Sequence, residues 1–381
     1  MSKKVLVVVG TRPEAIKMAP VARALANDPD IVVEVALTGQ HGDLVDQALL
    51  AFGTKPTYDL GIMRPDQTLY DVVHGVLDGL RDVVRSSRPD LLLVQGDTAT
   101  VFAASLVAFF EHVRVGHVEA GLRSGMDRTK PFPEEMFRRL TDVIADLYFA
   151  PTPRARDALL GEDVPPERVF VTGNTVVDAL RSAAAQERPV EDPELKAVMD
   201  DPSVQLVLLT AHRRESFGTP IRAVFQAVRA LADLATDARI VYPVHPNPNV
   251  SVPARELLSG HPRIALTPPL GYFDMVAALK RADLVLTDSG GIQEEAPTFG
   301  APVLVLRDRT ERPEGVEAGV AELVGTDRSL ILARSRALLR EGRAGGPVRQ
   351  PFGDGHAAER IADIVAAQLT GRARTTTDWT P

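Results

Sequence analysis

The stretch Thr287-Asp288-Ser289-Gly290-Gly291-Ile292-Gln293-Glu294-Glu295-Ala296-Pro297 comes directly after the apolar run Leu284-Val285-Leu286. The run reads as a buried strand, and the residues from Gly290 onward as a short helix. A Ser-Gly-Gly turn between the two leaves backbone N–H groups free at the positive end of a helix dipole, which suits phosphate. The glycines allow close approach to the backbone. Glu295 lies one helical turn on, where a carboxylate can accept hydrogen bonds from ribose hydroxyls. A tight strand–helix turn with Ser289 as N-cap explains the same residues, and the turn alone does not separate the two readings.

Short apolar runs alternate with longer amphipathic segments on both sides of this turn. Residues 5–9, 32–37, 91–94, 113–118 and 147–149 read as strands, with helices such as 15–26 and 99–110 between them. A second set lies at 205–209, 240–244, 264–266, 284–286 and 303–306. The alternation predicts α/β architecture with two doubly wound parallel sheets. The domains are expected at 1–173 and 174–355, with a helix at 356–370 packing back on the first domain. The polar tail, 371–381, holds the single tryptophan, Trp379, and is expected to be poorly ordered.

The 381 residues are 45% hydrophobic and 25% charged, an ordinary globular balance long enough for two cores. A formal net charge of -8 argues against nucleic acid as a partner. The absence of cysteine excludes disulfides, thiolate nucleophiles and Fe–S clusters. The apolar run at 5–9 is too short for a secretory leader, and no segment approaches a membrane span. A cytoplasmic protein is expected.

Ligands of doubly wound folds bind at the carboxyl ends of the strands. Arg12, Lys17, Asp97, Glu119, His212, His245 and Ser289 all come after strands. Arg12 and Lys17 suit a diphosphate or sugar. Asp97 is equally an N-cap for the helix at 99. Glu119 and the pair Glu134-Glu135 add carboxylates to the same domain, although Glu134-Glu135 also suits a helix first turn. Such carboxylates serve acid–base chemistry. His212-Arg213-Arg214 combines a titratable ring with guanidinium forks that bind phosphate. His41, His74, His112 and His117 lack metal-ligand spacing, so no metal is expected. One glycine in the first loop, instead of a GxGxxG series, speaks against NAD.

In combination these segments resemble the bacterial non-hydrolysing UDP-N-acetylglucosamine (UDP-GlcNAc) 2-epimerases, from residue 10 to about 369. The resemblance rests on Gly10-Thr11-Arg12-Pro13-Glu14, Gln95-Gly96-Asp97-Thr98, Val118-Glu119-Ala120-Gly121-Leu122-Arg123, Phe132-Pro133-Glu134-Glu135 and Thr172-Gly173-Asn174-Thr175. It extends through His212-Arg213-Arg214-Glu215, the 288–295 segment and Thr310-Glu311-Arg312-Pro313-Glu314. It implies two Rossmann-like domains of the GT-B type, a homodimer, and reversible inversion at C2 that converts UDP-GlcNAc to UDP-N-acetylmannosamine (UDP-ManNAc) without an added cofactor. UDP would leave to give a 2-acetamidoglucal and then re-add. By motif position, Asp97, Glu119 and Glu134 are the acid–base candidates and His212 lies against the phosphates. Arg12 and Lys17 bind near the sugar diphosphate, and Ser289, Gly290 and Gly291 hold phosphate. Arg213 supports the phosphates, Glu295 the ribose, Phe273 the uracil side, and Arg312 completes the nucleotide site.

The chain departs from the family pattern at Phe137, Ser216, Pro246, Leu270 and Met275, and by a longer loop at 125–130. A glycosyltransferase or a hydrolysing 2-epimerase on the same scaffold remain alternatives. A non-catalytic sugar-nucleotide sensor would have lost the carboxylates. In members with a regulatory UDP-GlcNAc site, Gln and Arg are typical where this chain has Asp43 and Asp66, although Gln40 fits. An anionic effector is repelled there. UDP-ManNAc alone should therefore give a progress curve without a lag; strict dependence on added UDP-GlcNAc would contradict this.

Overall fold

The computed structural model describes residues 2–39, 52–64, 66–125, 127–343 and 348–381. They form two compact units, Met1–Ala179 with Phe352–Pro381, and Leu180–Pro351.

The first unit holds β1 (Lys3–Val9), β2 (Ile31–Leu37), β3 (Tyr58–Asp59), β4 (Leu91–Gln95), β5 (Arg114–Val118), β6 (Leu147–Ala150) and β7 (Val169–Val171). They pair in parallel in the order β3-β2-β1-β4-β5-β6-β7. The composition explains the parallel pairing. Val5–Val9 and Leu91–Val94 are buried at every position, as strands covered on both faces must be. The register sets Val5 beside Leu91 and Val7 beside Leu93. One layer of the core brings Leu6, Leu92 and Val94 together with Val76 and Leu80 of helix Leu69–Ser87.

The second unit holds β8 (Gln205–Thr210), β9 (Ala238–Pro243), β10 (Ile264–Thr267), β11 (Leu284–Thr287), β12 (Val303–Val305) and β13 (Ala321–Leu323). Their order is β10-β9-β8-β11-β12-β13, again parallel. Both sheets therefore reverse the direction of strand succession at one place, between β1 and β4 and between β8 and β11. At such a point the crossover helices depart to opposite faces and leave a crevice beyond the strand ends. The segments after these four strands begin at Gly10, Gly96, Ala211 and Asp288.

Local sequence sets the helix starts. Helix Arg12–Ala26 is entered through a capping box: Glu14 N–H donates to Thr11 Oγ1, and the Glu14 carboxylate accepts from the Thr11 N–H. Gly10 N–H also donates to Glu14, at 2.6 Å. Burial pushes the Glu14 pKa upward against these bonds.

The tail differs from its sequence reading. Its polar composition suggested disorder, yet Trp379 is only 5% exposed and its backbone N–H donates to the Val171 carbonyl at 2.8 Å. Asp378 accepts from Val171 N–H at 3.0 Å, and Asp363 accepts from the Thr375 and Thr376 N–H groups at 2.8 and 2.7 Å. The tail thus covers the edge strand β7, whose outward backbone groups need partners. Trp379→Ala should lower the unfolding free energy by about 3–5 kcal/mol, as loss of a buried aromatic does; a change below about 0.5 kcal/mol in denaturant melts, the level of a surface substitution, would show that the tail does not pack.

Candidate active site

In the first unit, Glu119 comes directly after β5 with φ +67°, a left-handed conformation that is uncommon outside glycine. Its N–H donates to the Phe149 carbonyl at 3.0 Å, which turns the chain so that the side chain meets Lys17. Lys17 Nζ donates to both Glu119 oxygens at 2.9 and 2.7 Å, and Gln95 Nε2 donates to one of them. Lys17 comes from the first helix and Gln95 from the end of β4, so three elements meet at one carboxylate. Only 8% of Glu119 is exposed, and a buried carboxylate requires such partners.

Asp97 comes after β4 and Gly96, whose φ is +86°. It does not cap the helix at Ala99, because Thr98 takes that place and accepts from Val101 N–H. The Asp97 carboxylate instead pairs with Arg138. Glu134 opens helix Glu134–Ile144 and is half-buried, and its carboxylate makes no hydrogen bond or ion pair to any described residue. Glu135 stands with it in the first turn of that helix, as the sequence suggested, and is fully buried, pairing with Arg138 at 3.0 Å and Arg139 at 2.9 Å. Sequence reasoning gave Gln95 no role, named Glu135 without a partner and passed over Arg138. The Glu135-Arg138-Arg139 spacing of three and four residues was the available signal.

In the second unit, Asp288 links the ends of β8 and β11. Its Oδ2 accepts from the His212 and Arg213 N–H groups at 2.7 and 2.8 Å. Its Oδ1 lies 3.4 Å from His212 Nδ1. The His212 ring stacks on His245 with centroids 5.4 Å apart. Arg213 Nη2 would lie 3.6 Å from a Cβ added at Gly290, so its guanidinium sits over the Ser-Gly-Gly turn. Arg213 Nε is buried with no hydrogen-bond partner among the described residues. Ser289 occupies the N-cap position of helix Gly290–Glu295 but makes no side-chain cap bond, so the simple N-cap reading is incomplete. The Glu295 carboxylate folds back toward the same turn, 3.3 Å from where a Gly291 Cβ would stand.

Arg312 pairs with buried Glu294. Phe273 lies under the Arg188 guanidinium, 3.8 Å from the ring centre, a contact that nothing in the sequence announced. Arg12 begins the first helix and is half-buried. Of the departures, Phe137 stacks on Phe102 at 5.4 Å and so belongs to the core packing. Gln40 and Asp43 lie outside the described residues. No group of three metal-ligating side chains occurs among the described residues, and no helix there is long and apolar enough to cross a membrane.

Burial holds the His212 pKa below the usual 6.5, Asp288 raises it, and Arg213 and His245 lower it. The His212 ring should therefore titrate below 6.5 by NMR, Asp288→Asn should lower the midpoint further and Arg213→Met should raise it. A midpoint unmoved by either change would contradict this electrostatic reading.

The family model described as UDP-N-acetylglucosamine 2-epimerase matches residues 23–366. The UDP-N-acetylglucosamine 2-epimerase of Escherichia coli (strain K12) is 46% identical over 381 residues, covering 95% of this chain and 98% of that one. A crystal structure of a putative UDP-N-acetylglucosamine 2-epimerase from Listeria monocytogenes superposes with a TM-score of 0.91 at 42% identity, covering 100% of both chains. The Neisseria meningitidis UDP-GlcNAc 2-epimerase bound to UDP-GlcNAc gives a TM-score of 0.86 at 41% identity, covering 97% of this chain and 100% of that one. With a family model spanning most of its length and relatives this similar end to end, the chain belongs to the UDP-N-acetylglucosamine 2-epimerase family.

Proposed function

We propose that this chain interconverts UDP-GlcNAc and UDP-ManNAc, and that the first unit handles the sugar while the second holds UDP. The observation that carries this reading is Glu119, a buried carboxylate just beyond β5, held by Lys17 from the helix after β1 and by Gln95 at the end of β4, with Asp97 beyond the same β4 end. The family relationship and the UDP-GlcNAc-bound relative support the substrate.

The chemistry needs such groups. The proton on C2 is not beside a carbonyl, so its removal alone is very costly. Cleavage of the C1–O bond sends an electron pair to the diphosphate and develops positive charge at C1, which acidifies C2–H. A carboxylate takes that proton, and the C2–H electrons form the C1=C2 bond of a 2-acetamidoglucal. Re-addition protonates C2 on the opposite face while a UDP oxygen re-forms the bond to C1. Asp97, Glu119 and Glu134 are the proton carriers in this reading. Arg12 and Lys17 bind near the sugar diphosphate. His212, Arg213 and the Ser289-Gly290-Gly291 turn stabilise the departing UDP; the buried Arg213 Nε is a donor left for an acceptor. Glu295 binds ribose, Phe273 lies on the uracil side, and Arg312 completes the nucleotide site. A homodimer and a cytoplasmic setting belong to the same proposal.

Incubation with UDP-GlcNAc in deuterated water should give the manno isomer with deuterium at C2. Continuous net release of UDP would instead identify a hydrolysing enzyme. Asp97→Asn and Glu119→Gln should each lower turnover by about 1,000-fold or more, of the order seen when an essential group is removed, with UDP binding kept. Near-normal turnover in both would refute their roles.

A further inference from the structure

His117 lies on β5, two residues before Glu119, and is 1% exposed. Both ring nitrogens are engaged. Nε2 lies 2.8 Å from the carbonyl of Gly96, and Nδ1 lies 2.6 Å from Asp142 Oδ1. A carbonyl only accepts, so Nε2 carries a proton and donates. The Gly96 N–H in turn donates to the Val118 carbonyl at 3.1 Å. The peptide that leads into Asp97 is thereby fastened at both ends to the strand that delivers Glu119. Asp142 is itself anchored: Arg123 lies 2.8 Å from its Oδ2, and the Gly121 N–H donates to the same oxygen at 3.3 Å. Burial disfavours its charge, but His117 and Arg123 outweigh that and hold its carboxyl below the usual range. Asp142 sits on helix Glu134–Ile144, which also carries Glu134 and the Asp97 partner Arg138.

We propose that His117 is a positioning residue for the epimerisation, its Nε2–H holding the Gly96 carbonyl so that Asp97 keeps its place beside Glu119. This rests on the functional reading above. Two elements carrying acid–base candidates and the helix carrying the third converge on one buried ring. Gly96, at φ +86°, has no side chain of its own to fix the turn, so the ring contact supplies the constraint. A displacement of about 1 Å at a reacting group costs about 100-fold in rate. Substrate binding, which depends mainly on other residues, should change far less.

Two amide variants separate the ring nitrogens. Glutamine extends its NH2 to the place of Nε2, and asparagine places its NH2 near that of Nδ1. His117→Gln is expected to keep kcat within about 10-fold of wild type, and His117→Asn to lower it about 100-fold, with KM within about 3-fold in both. Circular dichroism and UDP titration are expected to show both variants folded. Equal losses in the two, or a loss confined to KM, would overturn the proposal. Wild-type protein that exchanges no hydrogen at C2 would instead refute the functional reading itself. Should the variants not fold, 15N-histidine spectra of the wild type decide the matter. A slowly exchanging Nε2–H is expected, and an unprotonated Nε2 would overturn the assignment.

Discussion

A carboxylate removed from water at the end of a parallel strand must be matched by donors, and Glu119 meets this constraint in a way that organises the first unit. Its left-handed backbone directs the side chain toward Lys17 and Gln95, so the first helix and the adjoining strand end are tied to the same oxygens. A non-glycine residue in that conformation costs on the order of 1–3 kcal/mol and persists only where its surroundings over-determine it. The two hydrogen bonds from Lys17 and the backbone bond to Phe149 are such surroundings. The second unit uses the same device with another residue. Asp288, also beyond a strand end, joins its sheet's two central strands by accepting from the backbone of His212 and Arg213.

These two anchors divide the chemistry. In the proposed elimination the first unit's carboxylates carry the proton, and of these Glu119 and Asp97 are each held by a cation. The second gathers a guanidinium, two stacked imidazoles and a glycine turn, as a departing diphosphate requires. Neither set suffices alone for the proposed elimination, because C2 becomes acidic only as the C1–O bond breaks. The strand order places both sets in equivalent positions, since each unit reverses its succession between its first and fourth strands.

Much of this was legible in the sequence, for a physical reason. Strands buried on both faces are continuous apolar runs, so β1, β4, β8 and β11 could be read directly, and with them the residues just beyond their ends. The family motifs supplied the remaining candidates. Pairing was not legible. Nothing along the chain says that Asp97 meets Arg138 across 41 residues, or that Arg188 covers Phe273. Thr98, not Asp97, proved to be the helix cap, because both are good capping residues and only the backbone geometry chooses between them. The tail was misread because composition weighs its many polar residues and not the one indole that finds a place to bury, nor the edge of β7 that needed covering.

The proposed elimination requires that UDP leave C1 and return. It is tested most directly by placing 18O in the bridge between the sugar and the β-phosphate and following the label by 31P NMR. Departure frees the β-phosphate to rotate, so the label is expected to scramble into its non-bridging positions as the manno isomer forms. Epimerisation with the label retained wholly in the bridge would exclude a departure of UDP.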